Sequence, residues 1–147
     1  MATLNDKEFK ERLAALNPAQ QRQVAARFIH RAFALSGDLR VKAALKAAVR
    51  ADVSETELAG IAQAANAARV ESYTQCGKET DWNVQAGHFV AKAAADCVRP
   101  IAEGQSLAWD AAMLIRVART CGAASGDTTD HKEAEAQYAI LDDFLSK

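Results

Sequence analysis

The stretch DWNVQAGHFVAKAAADC, from Asp81 to Cys97, has the composition of a helix that is apolar or small on almost every side. At about 100° per residue, Asp81, Gln85, His88, Lys92 and Asp96 fall within one strip of roughly 80°. Trp82, Ala86, Phe89, Val90, Ala93 and Cys97 form one broad flank, and Val84, Gly87, Ala91, Ala95 and Val98 fill most of the rest. A helix with so little polar surface is surrounded by other helices rather than laid across the outside of a core. The expected fold is an all-α bundle with this segment near its centre.

The flanking chain reads the same way, as about seven helices and no strand. Asn5-Asp6-Lys7-Glu8 is a capping box, in which a short polar side chain takes free N–H groups and Glu8 reaches back. Phe9, Leu13 and Leu16 then share one face. Asn17-Pro18 starts a second helix, lined by Val24, Phe28, Ala32 and Leu35 and ended by Ser36-Gly37. Asp38 caps a third helix, carrying Val41, Leu45 and Val49. Ser54-Glu55-Thr56-Glu57 opens a long fourth helix ending at Cys76-Gly77. Asp81 caps the fifth, which runs to Arg99-Pro100, and Ser106 starts a sixth that ends at Cys121-Gly122. Asp130-His131-Lys132-Glu133 caps a last helix with Ala134, Tyr138, Leu141 and Leu145 on its inner face. Short connections join antiparallel neighbours, so residues 1–147 are expected to form a single-domain, alanine-rich, up-and-down helical bundle.

Composition narrows the partners. About a quarter of the chain is alanine, the strongest helix former, against only 2 prolines and 7 glycines. The net charge of −1 gives no electrostatic reason to expect nucleic acid or an anionic membrane. No run reaches the ~18 apolar residues of a membrane span, and the N-terminus lacks a signal-peptide core. Three cysteines without a CxxC pair, Cys76, Cys97 and Cys121, point to reduced thiols and a cytoplasmic protein.

Candidate chemistry is sparse. His88 and Cys97 lie on opposite faces of their helix and cannot act as a pair. The strip through His88 reads either as the solvent-facing edge of a central helix, as the border of a pocket, or as a hydrogen-bonded core position. If it borders a pocket, Asp81, Trp82, Gln85 and His88 are its ligand-binding residues, with Arg116 and Arg119 as an anion clamp. The competing reading of Arg116 and Arg119 is structural: pairs with carboxylates such as Asp96 or Glu71. No histidine has a glutamate three positions before it and HExxH is absent, so neither a metal centre nor a cofactor is expected. No catalytic residue is assigned. Cys76 is the cysteine nearest a loop. Trp109 and Met113 lie off the Leu107-Leu114 face of the sixth helix and are the candidates for an exposed apolar patch.

The segments SGDLRVKAALKAA, QAGHFVAKAAA and EAEAQYAILDDFL, between Asp38 and the C-terminus, resemble small all-helical bacterial immunity proteins of toxin–immunity systems. The resemblance implies binding of a partner protein, with no cofactor and no catalytic residues. The order LKAAVRADVSETELAGIA is similar to the helical region of alkylhydroperoxidase-like proteins, whose chemistry needs a CxxC that this chain lacks. The expectation is therefore a non-enzymatic protein-binding protein, with a homodimer open. The alternative is a small-molecule-binding protein or enzyme with a pocket beside His88.

Overall fold

The computed structural model describes residues 2–50, 52–76, 82–99, 106–124 and 132–146. It is an all-α helical bundle whose elements are α1 (Asp6–Ala14), α2 (Pro18–Arg31), a 3-10 turn (Phe33–Leu35), α3 (Leu39–Ala48), α4 (Glu55–Cys76), α5 (Trp82–Cys97), α6 (Leu107–Ala124) and α7 (Glu133–Leu145). The described residues contain no strand. None of the described helices is long and apolar enough to cross a membrane.

Local capping chemistry sets most helix starts. The Asn5 side chain accepts from the Glu8 N–H at 2.9 Å, and the Glu8 carboxylate reaches back to the Leu4 N–H at 3.2 Å. Asn17 and Gln20 cap each other's backbone reciprocally. Asp38 accepts from the Arg40 N–H, and the Ser54 hydroxyl accepts from that of Glu57. After Arg31 the second helix tightens into the 3-10 turn, and Gly37, at φ 67°, ends it with its N–H on the Phe33 carbonyl. A left-handed residue there costs glycine little.

Two starts depart from local chemistry. The Ser106 hydroxyl makes no hydrogen bond among the described residues. The first turn of α6 is capped from across the core, where Gln21 of α2, nearly buried, accepts from the Ala108 N–H at 3.1 Å. At α7, Asp130 and His131 lie outside the described residues. Lys132 precedes the helix at φ 48° without a side-chain cap.

At the centre α5 lies against α6, with α4 over α5 and α2 over α6. Ala86, Ala91, Ala93, Ala94 and Ala95 of α5 and Ala108, Ala111, Ala112 and Ala118 of α6 are buried. Methyl-sized contacts bring helix axes to the low end of the usual ~8–10 Å range. Gly87 carries this to its limit: a Cβ there would stand 3.0 Å from the Leu35 carbonyl oxygen of the 3-10 turn. Bulk comes from Phe9, Leu13, Val24, Phe28, Ile29, Ile115 and Leu141, all fully buried. Phe9 is the hub on the α1 side, with ring centroids 5.7 Å from Phe28, 6.0 Å from Trp109 and 5.2 Å from Tyr138.

The inner face of α7 is rotated from the expected one. Glu133, Gln137 and Leu141 are fully buried, while Tyr138 is half-buried and Leu145 is 45% exposed. Polar groups go inside because neighbours satisfy them. Arg31 donates to both Glu133 oxygens at 3.0 and 3.2 Å, and Arg119 Nε lies 3.5 Å from the same carboxylate. The Gln137 amide donates to the Ala112 carbonyl and accepts from Arg116, both at 2.9 Å.

Candidate functional site

His88 is not on an open edge. It is 9% exposed, because α4 lies over the strip that the sequence left ambiguous and its Ser72 and Tyr73 cover the ring. Ser72 Oγ lies 3.0 Å from His88 Nδ1 and donates to the Arg69 carbonyl at 2.8 Å. The Ser72 hydroxyl has one proton for these two contacts, and the tautomer of the ring decides which of Oγ and Nδ1 donates. The rings of Tyr73 and Phe89 flank the imidazole at 5.7 and 5.4 Å.

Burial lowers the His88 pKa, and the charges of Arg69 and Lys92 push it the same way, against a hydrogen bond from the ring to the Arg69 backbone carbonyl that favours the cation. The sign follows from linkage. Below the ordinary value near 6.5 the unfolded chain binds this proton first, so its contribution to stability is complete above pH ~6.5 and declines as the pH falls toward the folded value. Urea midpoints measured from pH 7.5 to 5 are expected to fall more steeply for the native chain than for His88→Gln. Equal slopes would mean the imidazole is not held neutral.

The other members of the proposed pocket disperse. Trp82 is 43% exposed at the start of α5, Gln85 is half-buried and Asp81 lies outside the described residues. A cavity of about 300 Å³ does adjoin the histidine, between the 3-10 turn, α4 and α5; Ser36, Asp38, Glu71, Ser72, Val84 and Gly87 line it. That volume is at the lower bound for small-molecule sites. Its two carboxylates are already engaged, since Arg40 donates to Asp38 at 2.9 Å and to Glu71 at 2.6 Å.

Arg116 and Arg119 turn away from His88, toward α1, α2 and α7. Arg116 donates to both Asp6 oxygens at 2.9 and 3.0 Å and lies over the rings of Phe9 and Tyr138. These hydrogen bonds hold the Asp6 carboxyl below its usual pKa against the opposing effect of burial, and the Tyr138 hydroxyl adds to them. Arg119 donates to the Arg31 carbonyl at 2.7 Å and faces Glu133. The carboxylates at these arginines are thus Asp6 and Glu133. Asp96 and Glu71, the partners expected from sequence, instead pair with Lys92 and Arg99, and with Arg40. Distant chain segments decide this, and helical spacing carries no sign of it.

The described residues hold no group of three or more His, Cys, Asp or Glu side chains placed to bind a metal. Cys97 is buried with its thiol on the Arg22 carbonyl, and burial pushes its pKa up to about 12, an unreactive state. Cys121 is buried, and the Cys76 side chain lies outside the described residues.

Trp109 and Met113 do not form an exposed patch. Both are half-buried against the core, and Lys10 covers the Trp109 ring at 5.2 Å. An uncharged exposed surface lies on α4. Of its described side chains only Ala65 and Ala68 are buried, and no charged residue occurs from Leu58 to Ala68. On the outer side Thr56, Gly60, Gln63, Ala67, Val70 and Thr74 are all exposed and recur at alternating spacings of four and three, an unbroken row about 27 Å long. A solvated helix face normally carries charge, so the charge-free run was the signal in the sequence that could have located this surface. Comparison of the chain with protein-family models, with curated proteins and with solved structures finds no match.

Proposed function

We propose that this protein acts by associating with another protein chain, without catalysis, through the outer face of α4. One observation carries the reading: a 22-residue helix buries two alanines inward and presents a continuous uncharged row outward. Interface cores are depleted of charge in the same way, and small side chains let a second helix approach closely. Association fits the role implied by the resemblance to immunity proteins, where binding alone is the activity. A small-molecule site shared by His88 and the two arginines has less support, because the first turns toward α4 and the others toward α1, α2 and α7.

A photo-crosslinking residue placed at Ala64 or Ala67 tests the reading in cells of the native host. The expected result is one stoichiometric protein adduct from these sites and none from exposed Lys7 on α1. If α4 gives no adduct, or both helices give the same diffuse mixture, the reading is wrong.

A further inference from the structure

We infer that the cavity between α2, the start of α4 and the end of α5 binds a small apolar α-amino acid. The inference is independent of the docking role of α4, which concerns the outer side of that helix. The cavity measures about 310 Å³, and Arg22, Glu55, Leu58, Ala59, Ala62 and Val98 line it. That volume is at the small end for ligand sites, so it suits a molecule between valine and methionine in size rather than a nucleotide. Arg22 supplies the group for an anion. Among the described arginines, all but Arg22 and Arg69 lie within ion-pair distance of a carboxylate. Arg69 donates its Nε to Asn66, a residue outside this cavity. Arg22 engages only its Nε, which donates at 3.3 Å to the Cys97 carbonyl, a group left without a helical partner where α5 ends. The Cys97 thiol donates back to the Arg22 carbonyl at 3.5 Å, so α2 and α5 are tied together at this residue. The two terminal nitrogens of Arg22 make no hydrogen bond with any described residue, and their fork matches the two oxygens of a carboxylate.

Glu55 supplies the group for a cation. It is exposed, and it forms no ion pair with Arg22 or with any other described residue. A guanidinium and a carboxylate thus line one cavity without closing on each other. The carboxylate and ammonium of an amino acid complement both at once. Leu58 and Ala62, half-buried, and Val98, buried, provide hydrocarbon for its side chain. A fatty acid would satisfy Arg22 but bring like charge toward Glu55, and an alkylamine would do the reverse. The zwitterion meets both, which is how one charge of each sign selects this class over its two fragments.

Titration calorimetry of the purified chain with L-valine, L-leucine, L-isoleucine and L-methionine tests the inference. Each is repeated as the acid lacking its amino group and as the amine lacking its carboxylate. At least one amino acid is expected to bind with millimolar or tighter affinity. Its two fragments are expected to bind about 10-fold more weakly or worse, the effect of losing one charged hydrogen-bonding contact. Glu55 is exposed, so Glu55→Gln keeps the fold, which an unchanged melting curve verifies. In that variant the amino acid and its deaminated acid are expected to bind equally well. Arg22→Gln is expected to weaken both by about 10-fold or more, and if it fails to fold, Glu55→Gln alone decides. The inference is overturned if none of the four amino acids binds at millimolar concentration. It is also overturned if the deaminated acid binds the native chain as well as the amino acid does. A preference for the amino acid that survives Glu55→Gln places the ligand elsewhere and overturns it too. None of these outcomes alters the photo-crosslinking expected from Ala64 and Ala67, so the two readings stand or fall separately.

Discussion

Glu133→Ala is expected to lower stability by about 3 kcal/mol, toward the lower end for breaking a buried ion pair, since both of its arginine partners retain some contact with water. Glu133 itself has no exposure, while the Arg31 and Arg119 side chains are 43% and 27% exposed. Loss of the carboxylate removes the acceptor for Arg31 and leaves a small void at the start of α7. Lys132 sits in the left-handed region, a cost of about 1–2 kcal/mol for a residue with a side chain, and no side chain among the described residues caps the first turn. Glu133→Gln preserves volume and one acceptor and should recover about half the loss. Urea unfolding of both variants checks the pair. A change below about 0.5 kcal/mol for Glu133→Ala, the usual range for surface substitutions, would show that α7 is held elsewhere.

Phe9→Ala is the other large expected effect, about 4 kcal/mol, within the range for truncating a buried aromatic. Phe9 has no exposed surface, touches three aromatic rings and lies beneath the Arg116 guanidinium. Its removal strips the contact that α1, α2, α6 and α7 share. It also uncovers the Arg116–Asp6 pair to water, so the loss should exceed simple transfer of a ring. For a chain of this length the melting temperature should fall by roughly 10 °C. Phe9→Leu, which refills most of the volume, is expected to lose less than half as much. Equal losses for the two variants would mean that ring geometry, not volume, is decisive.

What the sequence made legible was what its neighbouring residues decide alone. Asn5, Asn17, Asp38 and Ser54 cap the helices they were expected to cap, because a cap and its N–H lie within three residues. The central place of α5 was equally readable, since a helix without a polar face has nowhere else to go. The failures share a cause of the opposite kind. Glu133 and Gln137 look like an outer face until Arg31, more than a hundred positions earlier, and Arg116 are brought against them. His88 reads as an edge until Ser72 and Tyr73 arrive from α4. Buried polar residues are satisfied by partners that helical periodicity does not contain. The exposed row on α4 was overlooked for another reason: alanine counts as apolar on every side of that helix, so inward and outward faces look alike.

The close seating of α5 on α6 determines how this protein tolerates change. Where neighbouring backbones are separated by single methyl groups, deletion has almost nothing to remove, and addition has nowhere to be put. Overfilling such a contact typically costs about 1–3 kcal/mol, so swaps of Ala94 or Ala112 to valine are the hazardous drift, while conventional truncation surveys would pass over both positions. Side-chain size at these buried positions of α5 and α6 therefore has an upper limit set by the packing itself.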